Sequence, residues 1–145
     1  MIIARRIFVA CLSGLALCGT TSAPHAEDAA HPGATCSAGA RAMARTELLF
    51  GSQRAHRQPV SQAQWDAFVR REATPRFPDG FTILDARGQW RSRNGVVSER
   101  TRVLLLWHDG SADALRRIES LREIYKRRFG QESVMRVDGA DCVSF

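Results

Sequence analysis

The sequence predicts an α+β domain of the ferredoxin-like type, a β-α-β-β-α-β plait with a four-stranded antiparallel sheet and two helices on one face. Three observations lead there. Two segments carry apolar residues at helical spacing, and each opens on a serine cap. Between them lie two strand-like segments joined by Asn94-Gly95, a pair suited to a type I′ hairpin because both residues tolerate positive φ. One further strand-like segment precedes the first helix, and another follows the second.

Each element has its own signal. Residues 46–50 (TELLF) read as a short strand ended by Gly51, with a polar loop over 52–59. Ser61 and Gln64 form a capping box, and Val60 and Trp65 hold the hydrophobic-staple positions. Trp65, Phe68, Val69 and Ala73 make the buried face of that helix, which Pro75 and Pro78 are expected to end. Residues 81–93 and 96–108 are the hairpin strands, in a register that sets Arg93 opposite Val96 and Asp85 opposite Leu104. Gly88 marks a possible bulge. Ser111 caps the second helix, whose buried stripe is Ala114, Ile118, Leu121, Tyr125 and Phe129, and Gly130 stops it. Residues 131–138 are the last strand.

The chain has 145 residues, room for one domain, and its start has another purpose. Arg5 and Arg6 precede an uncharged apolar run over residues 7–19 and then the small, polar stretch 20–26. That is the layout of a signal peptide, and the run is shorter than the ~20 residues of a spanning helix. Residues 1–26 are therefore expected to be removed, with cleavage after Ala26 or, alternatively, after Ala23. Arg5-Arg6 also fits the twin-arginine route, although Ala4 stands where that signal carries Ser or Thr. A lipoprotein is disfavoured because Cys18 follows Leu17. Residues 27–44 read as a flexible leader and 45–145 as the single domain. The mature protein is then periplasmic or secreted.

Cleavage leaves Cys36 and Cys142, one near each end. An even pair in an oxidising compartment reads as a disulfide. The plait makes the same demand independently, since its last strand lies antiparallel to its first. The full chain carries 21 basic and 15 acidic residues. Lys126 is the single lysine. An arginine excess of this kind in an exported, Ala-rich chain argues for solubility more than for nucleic acid, which is not expected as a partner. His31, His56 and His108 show no ligand spacing, so no metal or cofactor is expected.

Period-two alternation assigns faces to the sheet. Leu48, Phe50, Leu84, Trp90, Val103 and Leu105 are assigned to the helices. Glu47, Asp85, Arg87, Arg102 and Arg136 are assigned to the open face, interleaved with Leu49, Ile83, Leu104 and Leu106. So apolar a face calls for a cover. The alternatives are a second copy, one of the chain's own ends, or a small ligand over those charges. Arg76, Asp79, Trp90 and His108 are weaker candidates, better read as turn residues or core aromatics. Ser133 has no His and acid partners for a hydrolase triad, and no phosphate-binding glycine loop is present.

Five segments, RTELLFG (45–51), TPRFPDGFT (74–82), GQW (88–90), FGQESV (129–134) and DCVSF (141–145), occur in an order that resembles the secreted bacterial family known as domain of unknown function 3574. The resemblance spans residues 45–145. It implies export, a bacterial source and one domain, and it implies no catalytic residue. The sequence thus supports a non-enzymatic small-ligand-binding or assembly module of the cell envelope. The alternative is a cofactor-free enzyme on a dimeric α+β barrel. There Asp85 or Glu47 would act as general base, and Arg87, Arg102 or Arg136 would stabilise negative charge.

Overall fold

A computed structural model describes residues 36–54, 56–92 and 95–145. Residues 1–35, and with them the expected signal peptide and most of the leader, lie outside the described residues, as do Arg93 and Asn94. Four strands, β1 (Arg41–Gly51), β2 (Thr82–Ser92), β3 (Gly95–His108) and β4 (Met135–Val143), form one sheet of order β2-β3-β1-β4. All three pairings are antiparallel.

The first helical segment begins as the sequence requires. Ser61 Oγ accepts from Gln64 N at 3.2 Å, and Ser61 N donates to Gln64 Oε1 at 3.0 Å, so two otherwise orphaned donors at the helix start are satisfied. Helix α1 (Gln62–Phe68) then widens into a π-helical stretch, Val69–Ala73, and closes as α2 (Thr74–Arg76). Pro75 does not end the helix as expected. A proline has no N–H for the usual i−4 carbonyl and crowds it. The chain accommodates this by the wider turn, in which Thr74 N–H reaches back to Val69 O. The second helix, α3 (Ala112–Phe129), has the expected Ser111 cap and buried stripe and stops at Gly130, which is left-handed at φ 67°.

Phe50 shows where the helices lie. Its ring centroid is 5.3 Å from Trp65, 5.7 Å from Phe68 and 4.7 Å from Tyr125, so both helices cover the sheet face from which Phe50 projects. Leu48, Leu104, Leu106, Ile118 and Leu121 complete this core, each at most 1% exposed.

Cys36 and Cys142 are disulfide-bonded, with their Cα atoms 5.5 Å apart. The outer parts of β1 and β4 pair beside the bond, Ala42 opposite Cys142 and Ala44 opposite Ala140. Residues 41–44, read from sequence as leader, are therefore strand, and β4 runs five residues past its expected end. Among the described residues no helix is long and apolar enough to cross a membrane.

Two expectations about the sheet are corrected. Ser92 pairs with Gly95, and Asp85 faces Arg102 instead of Leu104. That slip of two preserves every side chain's face. It also places Ile83 opposite Leu104, an apolar pair. The larger correction concerns the faces of three strands. Opposed residues share a face, and Leu48 and Phe50 pair with Leu104 and Arg102, while Leu48 pairs with Arg136. Arg102, Leu104, Leu106, Asp85, Arg87 and Arg136 therefore lie on the helix side. Leu84, Trp90, Val103, Leu105, Trp107 and Val137 lie on the open side with Glu47 and Leu49.

Candidate functional site

The five charged residues assigned to one working face do not meet. Glu47 alone is on the open face, 3.6 Å from Arg45. Asp85 pairs with Arg100 at 2.8 Å on the helix-side parity of the β2 edge, with Arg87 beside it. Arg102 is 1% exposed, donates to Gln62 Oε1 at 3.0 Å and lies over the Trp65 ring. Burial and the neighbouring Arg100 lower its pKa. Arg136 bridges Glu119 and Asp138 at the rim of α3.

A different set of residues surrounds a cavity of about 470 Å³. Its floor is the open face of the sheet where β1 ends: Leu49, Trp90, Val97, Glu99 and Met135. Its walls are two connections, Gln53-Arg54 after β1 and residues 130–133 between α3 and β4. The size falls within the range of small-molecule sites, as does the mixture of an apolar floor with a few polar groups.

The sequence builds this cavity through its glycines. Gly51 and Gly88 sit in strands, where glycine weakens the structure, and neither has the positive φ that would demand it. Both are needed for space. A Cβ on Gly51 would stand 2.4 Å from Glu99 Oε1. A Cβ on Gly88 would stand 2.6 Å from both Trp90 Cζ2 and Thr101 Oγ1. One glycine thus admits the Glu99 carboxylate over β1, and the other lets the Trp90 indole lie down on the sheet. No bulge forms at Gly88, which pairs in register with Glu99.

The walls are fixed to the core. Tyr125 OH donates to Gly51 O at 2.9 Å, in a buried setting that pushes the phenol's pKa up. Gln53 N donates to Glu99 Oε2 at 2.7 Å, and the Gln131 side-chain amide donates to Gln53 O, joining the two connections. Arg122 Nη2 donates to Val134 O at 2.7 Å and holds the start of β4. Gln131 N donates to Lys126 O at 3.1 Å as α3 ends.

Sequence reasoning passed over Glu99, Gln53 and Gln131, and it placed Trp90 in the core. A signal was present. RTELLFG, GQW and FGQESV, three of the five segments that carry the family resemblance, each contribute to this cavity through Gly51, Trp90 and residues 130–133. Among the described residues no group of three or more His, Cys, Asp or Glu side chains converges as metal ligands would.

A second polar cluster lies at the other end of the sheet, on the helix side. Gly110 N donates to His108 Nδ1 at 3.1 Å, so the ring proton is on Nε2 and is donated to Thr46 Oγ1 at 3.1 Å. The Thr46 hydroxyl donates to Asp138 Oδ1 at 2.7 Å. Burial favours the neutral imidazole and lowers the pKa of His108. Burial would raise the Asp138 carboxyl, but hydrogen bonds from Thr46 and Arg136 outweigh it and hold the pKa below the ordinary value. The hydroxyl is directed at the carboxylate and the ring accepts from a backbone amide. This is a structural relay, and it has no activated nucleophile.

That relay has a pH consequence. The unfolded chain binds a proton at His108 at a higher pH than the folded chain does. Stability is therefore full above about pH 6.5, the unfolded value, and falls as pH drops through the lower folded value. The expected slope from this group is at most ~1.4 kcal/mol per pH unit. Urea unfolding at pH 7.5 and 5.5 should show a smaller loss for His108→Gln than for the unaltered chain. Equal losses would remove His108 as the cause.

Fold and cavity together define a small α+β domain with a ligand-sized pocket on the open face of its sheet. The sequence profile of the family described as "Protein of unknown function (DUF3574)" matches residues 45–145, and the chain belongs to that family. No curated protein matches it. Among solved structures it is similar to a phage SAM lyase in complex with S-methyl-5′-thioadenosine, at 15% identity and a TM-score of 0.53, covering 76% of this chain and 93% of that one. The apo form of a phage SAM lyase is similar at 13% identity and TM-score 0.53, covering 72% and 90%. At these identities the likeness is one of fold.

Proposed function

We propose that this chain is an exported ferredoxin-like domain of the cell envelope that binds a small organic molecule in the pocket above Leu49, Trp90 and Glu99, without turning it over. The observation that carries the reading is the pair of strand glycines kept for space, each admitting one of the pocket's side chains. A strand packed only for stability gains nothing from either. Export rests on residues 1–26 and is supported by the disulfide.

A second copy of the chain is the proposed cover for the rest of the open face. Leu84, Trp107, Met135 and Val137 are 37–49% exposed there. About eight residues from each of four strands span roughly 500 Å² of sheet, which with side-chain relief approaches the ~800 Å² per partner of a standard interface.

Fold likeness to a lyase supports one second reading, a cofactor-free enzyme on a dimeric α+β barrel. Its general base would be Glu99, since Asp85 and Glu47 lie outside the pocket. Native mass spectrometry of protein recovered from a periplasm, before and after addition of S-methyl-5′-thioadenosine, tests these readings together. A retained or added small-molecule mass that Trp90→Ala abolishes supports the pocket, and consumption of the added compound supports the enzyme. A bare monomer that takes up nothing from a periplasmic extract refutes both the dimer and the binding module.

A further inference from the structure

We propose that the pocket selects flat, partly aromatic molecules that carry an amino or amidinium donor, with Glu99 receiving the donor and Trp90 lying against the ring. This rests on the pocket being a binding site and adds the class of ligand.

Strand alternation directs Leu49, Trp90, Val97, Glu99 and Met135 into the pocket, so Glu99 is its one ionisable floor residue. Arg91, opposite Val96 on the other alternation of β2, and Arg54 in the loop after β1 also line the pocket. Arg54 turns its Nε back to Gln58 O at 2.6 Å, within its own loop. Glu132 stands exposed on the wall. Among the residues that strand alternation directs into the pocket, the one charge is therefore the Glu99 carboxylate.

Glu99 has capacity left for a ligand. An ionised carboxylate offers about four acceptor positions. Among the described residues it accepts from one backbone amide, Gln53 N, and forms no ion pair, although arginines surround the fold. Beside it, Trp90, Leu49, Val97 and Met135 supply an aromatic and apolar floor. An aromatic face next to an unpaired carboxylate suits a cation that is itself flat, because the ring gains stacking while its donor makes a charge-assisted bond.

A purely structural account would have Glu99 clamp the loop after β1 through Gln53. Two variants separate the accounts. Glu99→Gln keeps an acceptor for Gln53 N and removes the charge. Gly51→Ala keeps the charge and displaces the carboxylate, since the obstructing atoms are the far end of a flexible side chain. The probes are benzamidine, benzamide and benzoate, which share a ring and differ in charge. The readout is the indole N–H resonance in a ¹H–¹⁵N spectrum of the mature chain, assigned as the one missing from Trp90→Phe.

Benzamidine should bind at least about tenfold more tightly than benzoate. That preference should shrink to about twofold or less in both variants while their spectra stay dispersed. Equal binding of benzoate, or an undiminished preference in Glu99→Gln, would overturn the ligand class and leave the pocket standing. Failure of all three probes to move the Trp90 resonance would overturn the pocket reading itself.

Discussion

Replacing Cys36 and Cys142 with serine is expected to lower the unfolding free energy by roughly 4–5 kcal/mol, the largest single effect in this domain outside the core. The bond spans 106 residues of sequence, nearly the whole described chain, and the entropy removed from the unfolded state grows with the logarithm of that span. Domains of this size are stable by about 5–15 kcal/mol, so the doubly substituted chain should be marginal at 37 °C. The loss should begin locally, in the outer pairs of β1 and β4 that lie beside the bond. Urea unfolding of the oxidised and substituted proteins gives the difference directly. A change below 1 kcal/mol would mean that the reduced unfolded chain already keeps its ends together.

Phe50→Ala is expected to cost about 3–5 kcal/mol and to abolish ligand binding as well. Phe50 is 0% exposed and its ring touches Trp65, Phe68 and Tyr125, so it joins the sheet to both helices. Truncation leaves a cavity where the sheet meets both helices. The next residue is Gly51, whose carbonyl accepts from Tyr125 and whose missing Cβ admits Glu99. Loosening Phe50 therefore loosens the pocket. Phe50→Leu, which retains most of the volume, should cost less than half as much. Calorimetry of the three proteins tests this ranking. Similar melting temperatures for Phe50 and Phe50→Ala would show that the helices hold together without this ring.

The elements themselves were legible because local chemistry determines them. Ser61 and Ser111 cap the helices, Gly130 stops α3, and the apolar stripe of α3 is the buried one. The expected pairing of the last strand with the first sets Cys36 beside Cys142, and the disulfide joins them. The faces of β2, β3 and β4 were not legible, and the reason is specific. Period two separates two sets of residues without saying which set points inward. In β3 both sets are apolar, since Leu104 and Leu106 alternate with Val103, Leu105 and Trp107. In β2 and β4 the helix side carries Asp85, Arg87, Arg136 and Asp138, charges that resemble a solvated face; Asp85 pairs with Arg100 at the sheet edge, and Arg136 pairs with Glu119 and Asp138 beside α3. The outer half of β1 was missed because residues 41–44 have no alternation of their own and are strand through pairing with β4. The site was partly legible. Its segments stood out, but Glu99 lies in none of them, and the space that Gly51 leaves for it is a fact of the tertiary structure alone.

The disulfide has a further consequence, which concerns attachment. Cys36 and Cys142 close the sheet at one end, and the pocket opens where β1 reaches Gly51 at the other. Nine residues of strand, roughly 30 Å, separate the two. A bead, dye or fusion partner joined next to Cys36 or after Phe145 would thus be held well away from the cavity, and pulling on both points together would load the covalent bridge, with only the Arg41–Val143 pair lying outside it. The domain can be immobilised or displayed from either point with its pocket facing outward.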